Sequence, residues 1–187
     1  LARRGLDVVG IDISARFVEL ANAGAPQGAS FVRGDATRLA FDGEFDAAIS
    51  LCQGAYGLGG PGPFAGDPQN LRHDRTVLDG MARAVRPAGR VALSAFSAYF
   101  QVRWLEGGDS FDAATGVNHE VTEVRDSDGA AVPAELWTTC TTPRELRLLA
   151  ESSGLEVDHV WSVTPGDYAE RPPSIDTPEF LLLATRR

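Results

Sequence analysis

Between residues 6 and 96 the sequence repeats one pattern: a short apolar run, a polar turn, and then apolar residues at helical spacing. The runs are Leu6 to Ile11, "ASFVR" ending at Arg33, "FDAAISL" from Phe45 to Leu51, and Val91 to Phe96. Ser14 is a good N-cap for a helix carrying Phe17, Leu20 and Ala21 on one face. Leu71, Leu78, Met81, Ala82 and Val85 recur at the spacing of a second helix, and "RPAGR", Arg86 to Arg90, reads as the turn before the strand that starts at Val91. Strands that alternate with helices predict a parallel sheet covered on both faces. A chain of 187 residues that is 43% hydrophobic has enough apolar material for one such core, so a single domain is expected.

The rhythm breaks after residue 96. "VNHEVTEV" and "AELWTTC", joined by a turn over Asp126 to Gly129, predict a β-hairpin, placed as an insertion over about residues 97–141. Thr142, Pro143 and Glu145 then supply an N-cap, a proline at the first helical position and a capping-box acid, starting a helix that runs to Gly154. "LEVDHVWSV" and "EFLLLATRR" read as two closing strands. No helix lies between them, so an antiparallel pair is expected. "GDYAERPPSIDTP" reads as a surface loop and "LARRG" as a last helical turn closed by Gly5.

With 17 basic and 26 acidic residues the net charge is −9, which argues against nucleic acid as a partner. No apolar run is long enough to span a bilayer, and no signal-peptide pattern is present. Cys52 and Cys140 stand far apart and outside any metal-ligand spacing, so no metal site is expected and a reducing cytoplasm is the default location. Gly57, Gly59 and Gly62 form a literal G-x-G-x-x-G. A phosphate cradle needs a helix opening on the last glycine, whereas Pro61, Pro63 and Pro68 keep this segment turning.

Two acids draw attention because each follows an apolar run: Asp12 and Asp35. In open parallel sheets ligands bind at the carboxyl ends of strands, where an acid can hold a sugar hydroxyl. Taken singly, either acid serves equally well as a helix cap. Taken with their surroundings, "VVGIDIS", "FVRGDATRLAF", "FDAAISLCQGAYGLG", "MARAVRPAGRVAL" and "TPRELRLLAESSGLEV" resemble successive motifs of the class I S-adenosylmethionine-dependent methyltransferases, most closely the small-molecule branch. The resemblance implies a Rossmann-like α/β sheet, mainly parallel, with an antiparallel last strand pair. It also implies S-adenosyl-L-methionine as cofactor and a small-molecule methyl acceptor. By the same resemblance Asp12, with Ile13, takes the ribose position, and Asp35 and Ala36 meet the adenine. Ser50, Leu51 and Cys52 line the methionine and sulfonium side.

Catalytic residues are less defined. Tyr56 follows the fourth family strand, where an aromatic face can favour a sulfonium, although loop packing explains it equally well. His119 on the hairpin is the candidate general base, while His73 and His159 read as structural. Trp104 and Trp137 read as core residues and Cys52 as a pocket-lining residue. The alternatives are a nicotinamide-dependent oxidoreductase, whose ribose acid also resembles Asp12, and a scaffold without activity. One departure from the family is that its glycine-rich first strand has no counterpart. In the family order 3-2-1-4-5-7-6 that strand separates the ones ending at Asp12 and Leu51. Unpaired buried backbone groups cost on the order of 1–3 kcal/mol each, so the expectation is an N-terminally truncated domain that is unstable or oligomeric alone.

Overall fold

The computed structural model describes residues 1–52, 54–59, 71–125 and 129–187. It divides into two compact units, Leu1–Ala40 and Phe41–Arg187.

In the first unit a 3-10 turn, Ala2–Arg4, is closed by Gly5 in the left-handed region at φ 84°. Strand β1 (Val8–Asp12) leads into helix α1 (Ala15–Ala23) and strand β2 (Ala29–Arg33). The two strands are parallel, in register from Val8 opposite Ala29 to Asp12 opposite Arg33. Ser14 caps α1 by accepting the Phe17 N–H, as its sequence position predicts. At the other end Asn22 clamps the helix to β2: its amide donates to the Phe31 carbonyl at 2.7 Å and accepts the Phe31 N–H at 3.0 Å. Gly10 is required on β1 because a Cβ there would run into the Phe31 ring. The expected apolar face of α1 is not covered among the described residues, where Phe17 and Leu20 are more than half exposed.

The second unit holds β3 (Phe45–Ser50), α2 (Arg72–Ala84), β4 (Val85–Phe96) and a short helix α3 (Ala98–Arg103). Next come β5 (Ser110–Asp112), β6 (Val117–Arg125), β7 (Ala131–Thr139), α4 (Pro143–Ser152), β8 (Leu155–Val163) and β9 (Glu179–Arg186). Four strands form one sheet in the order β3-β4-β9-β8. Strands β3 and β4 are parallel, and β9 runs antiparallel to both β4 and β8. Leu93, Phe180, Leu182, Leu155, Leu146, Leu78 and Val77 are fully buried and form its core. The closing pair is antiparallel, as the missing crossover helix requires.

Three expectations are corrected. The strands do not form a single, mainly parallel sheet. Among the described residues β1 pairs only with β2 and β3 only with β4, so the sheet is split, and the larger part is mixed. The strand orders β2-β1 and β3-β4-β9-β8 nevertheless match 3-2 and 4-5-7-6 of the family order, without the strand that separates them there. The insertion is a three-stranded antiparallel sheet, β5-β6-β7, preceded by α3, and not a hairpin alone. Its expected turn falls on residues 126–128, outside those described. Finally, Arg86 to Arg90 do not form a turn before the strand but enter it. The β3–β4 register shifts between Phe45 and Ala47, and Ala88 takes a left-handed conformation at φ 62°. A bulge of this kind accommodates Pro87, which has no N–H to give the ladder.

The capping box of α4 is complete: Thr142 accepts the Glu145 N–H, and Glu145 accepts the Thr142 N–H at 2.7 Å. Thr142→Ala should therefore cost about 1 kcal/mol in urea unfolding. Leu182→Ala, in the fully buried middle of β9, should cost about 2–5 kcal/mol.

Candidate functional site

The parallel pairing of β1 and β2 puts Asp12, the last residue of β1, and Asp35, just beyond the end of β2, at the same carboxyl edge. The Gly34 N–H donates to the Asp12 carbonyl at 3.0 Å, which ties the two strand ends together. Each acid also organises its own turn. Asp12 Oδ1 accepts the Ser14 N–H at 2.7 Å, and Asp35 Oδ1 accepts the Thr37 N–H at 2.9 Å and its hydroxyl at 2.7 Å. Arg38 stands 3.8 Å from Asp35 Oδ2. A carboxylate has about four lone-pair sites, so capping a turn does not by itself exclude holding a ligand. Ile13, 56% exposed, offers an apolar surface next to Asp12, and Ala36 opens the 3-10 turn Ala36–Arg38.

In the second unit Ser50 ends β3, and Leu51 and Cys52 follow it at the carboxyl end. Cys52 is exposed and adopts a left-handed conformation at φ 53°. Its Sγ lies 3.3 Å from the Tyr168 hydroxyl, and this contact, with burial second, pushes the phenol up to about 12. Tyr168 belongs to the connection between β8 and β9, and the charge of Glu179 at the start of β9 also reaches it. Sequence reading misses both residues. Tyr168 stands in what looks like a featureless polar loop, and Glu179 looks like the boundary of an apolar run.

Tyr56 lies entirely in the core of this unit. Burial first, and then the charge of Asp74, hold its phenol well above the usual range, with Thr141 beside it acting in the opposite sense. Asp74, on the first turn of α2, is itself buried and accepts the Gly57 N–H at 2.9 Å. Burial pushes its carboxyl up to about 6, against the opposing effects of the Gly57 bond and of His73. His73 Nε2 lies 3.0 Å from the Ala55 carbonyl. Gly57 and Gly59 of the glycine motif sit in this packed loop, where a Cβ on Gly59 would lie 2.5 Å from His73 Cβ; Gly62 is outside the described residues.

His119 sits on β6 opposite Trp137 and stacks on its ring at 4.6 Å, with Nε2 buried and 3.9 Å from Glu135 Oε2. His159 stacks likewise on Trp161. Trp104 is 54% exposed, contrary to its expected place in the core, because it caps the C-terminus of the short α3 at the surface. Trp137 is half-buried. Among the described residues no group of three or more His, Cys, Asp or Glu is placed to hold a metal ion, and no helix is long and apolar enough to cross a membrane.

Residues 1–53 match the family model described as a methyltransferase domain. The CcbJ methyltransferase of Streptomyces caelestis superposes with a TM-score of 0.75 at 15% identity, covering 100% of this chain and 77% of that one. The fold is that of the S-adenosylmethionine-dependent methyltransferases. A second member of this fold, from Methanosarcina mazei, gives a TM-score of 0.63 at 21% identity over 99% of this chain and 84% of its own. The amino pentose methyltransferase CalS10 of Micromonospora echinaspora, solved with S-adenosylmethionine bound, gives 0.60 at 20% identity over 96% and 74%. A sequence comparison with curated proteins gives no match. The methyltransferase fold accounts for the antiparallel β9 beside the parallel β3–β4 pair, a topology unlike that of an all-parallel dinucleotide-binding sheet.

The raised carboxyl of Asp74 predicts a pH dependence of stability. The folded protein holds this proton more tightly than the unfolded chain does, so the contribution of Asp74 becomes less favourable as pH rises from about 4 to about 6 and is flat above that. Asp74→Asn keeps an acceptor for Gly57 and removes the charge. Relative to the native protein it should gain stability between pH 4 and pH 7, by on the order of 2–3 kcal/mol in denaturant titrations. A stability difference that does not vary with pH would show that Asp74 titrates normally.

Proposed function

We propose that this protein transfers a methyl group from S-adenosyl-L-methionine to a small-molecule acceptor, in the cytoplasm. The observation that carries the reading is the placement of Asp12 and Asp35 together at the carboxyl edge of the β1–β2 pair, within the segment that matches the methyltransferase-domain family. The residues fit the cofactor. A carboxylate at Asp12 is suited to the ribose hydroxyls, Asp35 with Ala36 to the adenine amine, and the exposed Ile13 side chain to the flat apolar face of the base. On their own unit, Leu51 and Cys52 follow β3 at its carboxyl end and are assigned the methionine and sulfonium side.

When bound, the cofactor supplies a methyl group already made electrophilic by a sulfonium. The protein's part is then to align an acceptor in line with that methyl and to keep water away. Small-molecule acceptors are consistent with the net charge of −9, which repels phosphate backbones. His119, stacked on Trp137, is assigned a structural role here rather than that of the general base.

Calorimetry with S-adenosylhomocysteine tests the proposal. Asp12→Ala should weaken binding by a few kcal/mol, because a charged hydrogen-bond partner is lost. Asp35→Ala should cost less, as expected for a single hydrogen bond. Unchanged affinity in both variants would remove the ribose and adenine assignments. His119→Ala should lower turnover only modestly; a loss of about a thousandfold with cofactor affinity intact would make it the base after all.

A further inference from the structure

One buried carboxyl group at the carboxyl edge of the four-stranded sheet has no part in the proposed cofactor site. Because β9 runs against β4, its first residue, Glu179, lies at the edge where β4 ends, opposite Phe96 on one side and Val163 on the other. Glu179 is only 3% exposed, and its Oε2 has no hydrogen-bond partner among the described residues. A carboxylate removed from water without a partner is costly, and such groups are kept where a ligand completes them.

The connection that leads into Glu179 is held in place. Val163, opposite Glu179, leads through the Thr164–Asp167 bridge to Tyr168, whose hydroxyl meets Cys52 Sγ at 3.3 Å and fastens the β8–β9 connection to the end of β3. That connection is pinned elsewhere too: the Ser162 hydroxyl accepts the Ser174 N–H at 2.7 Å and the Thr177 hydroxyl at 2.6 Å, and the Ser97 N–H donates to the Pro178 carbonyl at 2.9 Å. Ile175 from the same connection and Ala98, Tyr99, Val102 and Arg103 from α3 line an open, mainly apolar groove. Both segments lining this groove lead directly into the Glu179–Phe96 pair.

We propose that Glu179, buried between Phe96 and Val163 at the carboxyl edge of the sheet, binds an alkylammonium group carried by the methyl acceptor. This rests on the methyltransferase reading, since it is the acceptor whose chemistry is being assigned. A carboxylate only accepts hydrogen bonds, so it selects a donor, and a buried one selects a cationic donor most strongly. Anionic acceptors are disfavoured by the same charge. Among the described residues Glu179 belongs to no group of three or more His, Cys, Asp or Glu placed to hold a metal ion. The role is one of recognition and involves no proton transfer.

The test uses cyclohexylammonium as a probe and cyclohexanol as its neutral counterpart. Cys52, exposed beside the site, reports occupancy through its rate of alkylation by iodoacetamide; Cys140 is the internal control, buried and with its thiol pushed up to about 12 by burial. Cyclohexylammonium should slow Cys52 alkylation at least fivefold, and cyclohexanol less than twofold. Glu179→Gln should abolish the protection, whereas Asp176→Asn, which removes an exposed acid on the same connection, should retain it. Equal protection by both probes, protection that survives Glu179→Gln, or no protection of the native protein would each overturn the proposal. Binding of S-adenosylhomocysteine is measured on separate aliquots without probe, because Cys52 is also assigned to the cofactor's sulfonium side. Binding without amine protection sinks only the acceptor assignment, whereas failure to bind sinks the methyltransferase reading.

Discussion

The arrangement of the larger unit depends on the β4–β9 ladder. Seven register pairs, from Arg90–Thr185 to Phe96–Glu179, hold β9 in the middle of the sheet with β8 on its far side. Its side chains Phe180, Leu182 and Ala184 are fully buried, and so are their partners Ala95, Leu93 and Val91. Only an antiparallel strand in this place brings its first residue, rather than its last, to the edge where β3 and β4 finish. The position of Glu179 is thus a consequence of chain direction. A parallel strand with the same sequence would have delivered Arg186 there.

The smaller unit is organised by different means. Its two strands are short, and most of its apolar side chains retain exposure. What fixes it locally is polar: the Asn22 amide bridging to Phe31, the Ser14 cap, and the turns closed by Asp12 and Asp35. The same two carboxylates therefore hold the backbone in shape and present acceptor oxygens at the strand ends. A substitution at either one disturbs local geometry besides removing acceptor oxygens from the strand ends.

Much of this was legible in the sequence where a periodic or capping signal existed. Thr142, Pro143 and Glu145 announced α4 because an N-cap, a fixed φ and a reciprocal acid are local requirements that the sequence states directly. The antiparallel β8–β9 pair followed from the missing crossover helix. The split of the sheet was visible only through the family order, since no local signal says which strands fail to meet. Strand β5, three residues long, and helix α3, six residues long, were too short to show a period. Arg86–Arg90 misled because proline and glycine mark bulges as readily as turns. Asp12 and Asp35 were readable because each follows an apolar run. Tyr168 was not, because its meeting with Cys52 joins segments more than a hundred residues apart, and Glu179 was not, because its burial follows from the direction of β9.

The central place of β9 also bears on how the chain comes off the ribosome. Strand β4 ends at Phe96, and its neighbour β9 begins only at Glu179. At synthesis rates of roughly 5–20 residues per second, β4 waits on the order of 4–17 s before the strand that covers its edge exists. During that interval an apolar strand with open hydrogen-bonding groups is available to other nascent chains. Strand β8, made just before β9, is the competing neighbour, and a β4–β8 pairing formed early must open again to admit β9. Pairing across so long a stretch of chain is the kind of non-local contact that slows folding and leaves a strand edge open while it waits.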